Sequence, residues 1–146
     1  MSMHRRPVGR SRLFAAVGAI VILVGCVLPW WTVGGADGLP VRNGNAFDSL
    51  GIVVFVAALA TIALVTLPYA RERPVGADRW STYALIAGIA WAAFLYRVVE
   101  LALVGAFTFR EPLDVILRIT GLWITAVGLA ILGRAVFNLY QEPARL

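Results

Sequence analysis

Three charged residues interrupt otherwise apolar stretches of the chain: Arg97 and Glu100 in the run from Thr82 to Phe107, and Arg118 in the run from Val115 to Phe137. A guanidinium stays charged inside proteins. An ionised group at the centre of a membrane span costs roughly 2.5–3.5 kcal/mol on insertion scales. Such a group persists where it is paired, where it serves a ligand or ion, or where its stem carries it to the headgroups. Asp48 and Asp114 place two further carboxylates at the ends of apolar runs. Together, Arg97, Glu100, Arg118, Asp114 and Asp48 are compatible with three arrangements. One is an interhelical salt-bridge cluster that fixes packing and register. Another is a site for an anionic or zwitterionic ligand, or an ion path. The third is snorkelling of both arginines to the membrane surface.

Covalent and metal-assisted chemistry has little to work with. The motifs Gly-x-x-x-x-Gly-Lys-Ser/Thr, His-Glu-x-x-His, Cys-x-x-Cys and Gly-x-Ser-x-Gly are absent from the sequence. The one histidine, His4, lies in the N-terminal tail, so no span offers an imidazole to a haem, a chlorophyll or a metal. The one cysteine, Cys26, excludes an intramolecular disulfide. The expectation is a protein without catalytic activity, cofactor or metal.

The elements that position the charged residues are membrane helices. The 146 residues are 60% hydrophobic and 14% charged, where a soluble domain carries about 25% charged residues; mean hydropathy is +0.82. The apolar residues gather into four runs, each near the roughly 20 residues that cross a bilayer core. The sequence therefore predicts an all-α integral membrane four-helix bundle, a single domain over 13–137 with spans at about 13–31, 50–68, 82–105 and 115–137 and an outer loop at 32–49. Residues 1–12 and 138–146 form tails. Arg5, Arg6, Arg10, Arg12, Arg71, Arg73, Arg79, Arg134 and Arg145 fall on one side of these spans, Arg42 and Arg110 on the other. The positive-inside rule then places both termini in the cytoplasm. All thirteen basic residues are arginine, which reads as the codon bias of a GC-rich bacterial genome. They sit at span ends rather than on a soluble face, so nucleic acid is not an expected partner. Trp30, Trp31 and Trp80 at span ends read as an interfacial belt.

Depth and facing refine this picture. At 1.5 Å rise per residue, Arg97 and Arg118 both fall roughly 6 Å inside the outer boundary. Glu100, Asp114 and Asp48 fall near that boundary. On the fourth span Asp114, Arg118, Gly121, Thr125, Gly128 and Leu132 follow one another at alternating spacings of four and three, which is one narrow helical stripe. Its small residues favour close helix approach. Arg118 is thus expected on a packing seam, with Glu100 or Asp48 as its carboxylate partner. On the third span Ala84, Gly88 and Ala92 form a second small-residue stripe, nearly opposite Arg97 and Glu100. If the charged face meets the fourth helix, this stripe is left for the first or second helix or for another protein.

Leu23-Val24-Gly25-Cys26, after a basic segment and an apolar run, resembles a bacterial lipobox. Processing there would lipidate Cys26 and remove the first span. The apolar run continues through Val27, Leu28 and Pro29, which favours an uncleaved helix with Cys26 as a small apolar residue. The basic tail, Leu28-Pro29-Trp30 closing the first run, four short-looped spans and arginine without lysine together resemble small uncharacterised four-pass membrane proteins of bacteria. That resemblance implies a multi-pass location in the cytoplasmic membrane and no particular activity. The expected role is an accessory, assembly or stabilising subunit of a larger membrane complex, with the lipid bilayer and a membrane-protein partner or a second copy as partners. The alternative is a small transporter, channel or lipid- or anion-binding protein that uses the charged cluster.

Overall fold

The computed structural model describes residues 9–34, 38–70, 80–107, 109 and 111–141. A helix α1 (Arg10–Val27) leads into two short strands, β1 (Trp31–Val33) and β2 (Arg42–Gly44). Helices α2 (Gly51–Ala70) and α3 (Trp80–Val104) follow, then a one-turn helix α4 (Asp114–Leu117) and a long final helix α5 (Thr120–Gln141). Among the described residues α1, α3 and α5 are each long and apolar enough to cross a membrane, and α2 adds a shorter apolar stretch over Gly51–Leu67. The chain is a mostly helical, multi-pass membrane protein. Arg5, Arg6, Arg71, Arg73, Arg79, Arg110 and Arg145, on which the orientation count rests, lie outside the described residues.

The first and fourth spans differ from the sequence expectation by more than two residues. The first helix ends at Val27 rather than Trp31. Proline disfavours helical backbone in the residue before it, and Leu28, before Pro29, is extended at φ −80°, ψ 159°. The chain then reverses: Trp31 pairs with Gly44, Thr32 with Asn43 and Val33 with Arg42 in an antiparallel ribbon. Gly34, at φ 81°, takes the left-handed backbone that the exit from β1 requires. Among the described residues, the stretch between the first two long helices holds this ribbon and a 3-10 turn over Ala46–Asp48, capped by the Asn45 side chain, which accepts the Phe47 N–H at 3.1 Å. The fourth apolar run is interrupted at Arg118 and Ile119, between α4 and α5.

The long helices touch in the order α1, α2, α3, α5 and back to α1, with the most extensive contact between α1 and α5. Glycine makes that contact possible. A side chain at Gly25 would come within 2.6 Å of the Thr125 backbone nitrogen, and one at Gly121 within 2.7 Å of the Gly25 carbonyl. Seven residues earlier on α1 and seven later on α5, a side chain at Gly18 would lie 3.0 Å from the Gly128 carbonyl, and one at Gly128 would lie 2.9 Å from that of Gly18. The two helices run antiparallel, backbone against backbone. Ala15, Ala19, Ile22 and Cys26 of α1 and Leu129, Leu132 and Ala135 of α5 are fully buried beside this seam. Close packing of this kind holds membrane helices together where lipid removes the hydrophobic driving force between them.

Candidate functional site

The polar residues collect at the end of the molecule where the ribbon lies, in two groups. Arg97 and Glu100 are one helical turn apart on α3 and form an ion pair, Nη1 to Oε2, at 2.8 Å. The hydroxyl of Ser49, at the entry to α2, donates to the same Oε2 at 3.3 Å. The pair is asymmetric: the Arg97 side chain is 9% exposed and that of Glu100 37%. The buried Nε of Arg97 has no hydrogen-bond partner among the described residues. A buried unsatisfied donor is costly, so this nitrogen marks a place where the packing leaves polar demand unmet.

Arg118 belongs to the second group. It sits in the break between α4 and α5, where its guanidinium donates to the Gly34 carbonyl from Nη2 at 3.0 Å and to the Thr32 carbonyl from Nη1 at 3.5 Å. Asp114, one turn earlier, lies 4.0 Å from its Nε. The Thr32 hydroxyl donates back to the Arg118 carbonyl at 2.8 Å, and the Gly121 N–H donates to the Pro29 carbonyl at 2.9 Å. The interruption thus frees backbone groups that the segment around β1 immediately takes up. Sequence reasoning offered Glu100 or Asp48 as the partner of Arg118. Asp114 and two backbone carbonyls hold it instead, because the helix break turns Arg118 toward the ribbon.

Asp48 joins neither ion pair. Its Oδ2 accepts the indole N–H of Trp31 at 3.2 Å. Of the three tryptophans read as an interfacial belt, Trp30 differs. It is fully buried, donates to the Gly25 carbonyl at 2.9 Å and packs edge-on against Phe94, ring centres 5.6 Å apart. Trp30 thus sits inside the core, while Trp31, the first residue of β1, is half-buried and packs at the edge of the core. Trp80, 47% exposed, contacts Tyr140 edge-on at the other end of the molecule.

The small-residue stripes also separate. Gly121, Thr125 and Gly128 are buried against α1. Ala84 is half-buried, Gly88 and Ala92 are exposed, and nothing lies within 4 Å of where a Gly88 side chain would sit. Gly18 and Gly25 were missed in the sequence, although they carry a usable signal: their separation of seven residues equals that of Gly121 and Gly128. Among the described residues no group of three or more His, Cys, Asp or Glu is placed to hold a metal.

No protein-family model matches the chain, and no curated protein or solved structure is found to resemble it.

Proposed function

We propose that the protein is a non-enzymatic accessory, assembly or stabilising subunit of a larger membrane complex, built as a four-span bundle in the bacterial cytoplasmic membrane with both termini in the cytoplasm. The observation that carries this reading is Gly88. A glycine in a helix interior costs about 1 kcal/mol relative to alanine. The glycines of the α1–α5 seam offset that cost by letting two backbones meet. Gly88 meets nothing within the described chain, and with Ala84 and Ala92 it forms a stripe of the kind through which membrane helices pack closely. A helix of another subunit fits it. The seam also supports an intact first span, since cleavage before Cys26 would remove Gly18 and Gly25 from α5. The excess of arginine on one side of the spans supports the orientation.

The test is native mass spectrometry after mild detergent extraction through a C-terminal affinity handle, on the wild type and on Gly88→Leu. A stoichiometric membrane partner is expected with the wild type and is lost in Gly88→Leu at unchanged melting temperature. A lone monomer in both samples sinks the proposal.

One observation favours the second reading, a small transporter, channel or anion-binding protein. The unsatisfied Nε of Arg97 lies beside the Arg97–Glu100–Ser49 group, where an anionic group would complete it. Under this reading inorganic phosphate or an anionic lipid raises the melting temperature, and Arg97→Met abolishes the rise.

A further inference from the structure

The N-terminal end of α1 carries charge of one sign. Arg5, Arg6, Arg10 and Arg12 precede the first apolar run, and no acidic residue occurs before Asp37. On this side of the spans nine arginines stand against three acids, Glu72, Asp78 and Glu142. Arg10, the first residue of α1, is exposed and enters no ion pair or hydrogen bond among the described residues. No side chain caps the helix: Gly9 stands at the N-cap, and the first turn holds no acid. The leading N–H groups therefore present the positive end of the helix dipole. The Arg12 guanidinium lies at the same end, with Nη1 3.9 Å from where a Gly9 side chain would start.

Arg10 stands at headgroup height. Gly18 of α1 meets the Leu132 backbone of α5. Eight residues back along α1 and eight onward along its antiparallel partner, Arg10 is level with Tyr140. Tyr140 and Trp80, edge-on to each other and both exposed, are amphipathic rings of the kind that mark a membrane–water boundary. Beyond Arg10 the surface turns apolar at once. A groove of about 330 Å³ runs along α1, lined among the described residues by Arg10, Leu13, Phe14 and Val17. Spacings of three, one and three put these residues on one helix face, over about 10 Å of helix. Ile20 and Val24, also exposed, carry the apolar face deeper.

A cation at headgroup height above an apolar lane is the complement of an amphiphile with an anionic head. A soluble anion uses the arginine and leaves the lane empty, and a neutral hydrocarbon does the reverse. A phospholipid uses both. An uncapped helix N-terminus favours phosphate, and clusters of about four to eight basic residues beside a membrane helix favour anionic lipid headgroups. We infer that the N-terminal end of α1 holds one anionic phospholipid, its phosphate against Arg10 and the first turn of α1, and an acyl chain along Leu13, Phe14 and Val17. This site lies at the end of the molecule opposite the Arg97–Glu100 group and requires no partner subunit. The arginines of this side also set orientation, which depends on their number; lipid binding in the groove depends on where Arg10 stands.

The experiment is native mass spectrometry of the full chain in a neutral detergent, with dioleoylphosphatidylglycerol and dioleoylphosphatidylcholine added in turn. One phosphatidylglycerol per chain is expected, held at least about fivefold more tightly than phosphatidylcholine. Arg10→Gln is expected to lose about fivefold for phosphatidylglycerol, the worth of one arginine at an anionic surface, with the melting temperature unchanged. Arg134→Gln removes the same charge from the same side, at a residue that lies over the Phe137 ring and not in the groove, and is expected to change binding by less than about twofold. Val17→Trp fills the groove at an exposed position, keeps every arginine and is expected to abolish the one-lipid adduct, so the proposal stays testable if Arg10→Gln fails to fold. Equal retention of the two lipids overturns the proposal. So does an equal loss in Arg10→Gln and Arg134→Gln, the result that diffuse attraction to net charge would give. Wild-type binding by Val17→Trp, or displacement of the lipid by millimolar inorganic phosphate, also overturns it, because the groove would then play no part.

Discussion

The α1–α5 seam predicts that one methyl group separates two glycines of equal sequence character. At Gly25 a Cβ would stand 2.6 Å from the Thr125 nitrogen and 3.0 Å from the Gly121 carbonyl, whereas at Gly88 it meets nothing within 4 Å. Ordinary carbon contacts begin near 3.4 Å, so Gly25→Ala forces the helices apart by about 0.8 Å, enough to forfeit a quarter to a half of the dispersion well for atoms along the seam. Overpacking a closed interior costs about 1–3 kcal/mol, and a backbone-on-backbone obstruction belongs at the upper end of that range. The expected loss is about 2–3 kcal/mol for Gly25→Ala. The expected change for Gly88→Ala runs from zero to a gain of about 1 kcal/mol from helix propensity. The assay is equilibrium unfolding in mixed micelles titrated with a denaturing detergent, followed by intrinsic tryptophan fluorescence, to which the buried Trp30 contributes. Adding Thr125→Ala to Gly25→Ala should restore little, because the nearest immovable atom is the backbone nitrogen of residue 125. If Gly25→Ala falls within about 0.5 kcal/mol of wild type, or matches Gly88→Ala, the backbone-to-backbone account of this interface is wrong.

Three further outcomes follow from the ribbon end and from α1. Arg118→Ala removes the charged hydrogen bonds to the Thr32 and Gly34 carbonyls and is expected to cost about 2–3 kcal/mol; normal expression and melting would count against a structural role. Trp30→Phe deletes the donor to the Gly25 carbonyl and should cost about 1–3 kcal/mol, read as a lower unfolding midpoint, with a wild-type midpoint as the contrary result. Cys26 is fully buried in α1, so a membrane-permeant maleimide should label it only after unfolding, and labelling of the native protein at the rate of a free thiol would contradict that burial.

How much of this was legible in the sequence varies with the kind of contact. The stripe Gly121–Thr125–Gly128–Leu132 follows from helical periodicity alone, because spacings of three and four put residues on one face. Its partner helix does not follow, since periodicity describes one helix at a time. Only the matching seven-residue separations of Gly18–Gly25 and Gly121–Gly128 hint at it. Depth along the spans groups the five charged residues at one end; in the structure Arg97 pairs with Glu100, Arg118 meets Asp114 and the carbonyls of Thr32 and Gly34, and Asp48 meets Trp31. Their division into two groups was out of reach, because the contacts of Arg118 among the described residues include two backbone carbonyls, which every residue possesses. Trp30 and Trp31 look alike in composition, and their different burial depends on the chain reversal after Pro29, which composition does not carry. The ribbon was hidden by its shortness: three residues per strand carry too little alternation to register as a period.

The closest helix pair joins the first long helix to the last. Helices enter a membrane in the order of synthesis, so α1 presents the bare backbone of Gly18 and Gly25 throughout the time α2 and α3 take to appear. Its own partner arrives last. Contacts this distant in sequence form slowly, and an exposed close-packing face in the interim is open to capture by other membrane helices. The chain thus has a waiting period in its biogenesis, and the neighbours present in the membrane during that period are competitors of α5.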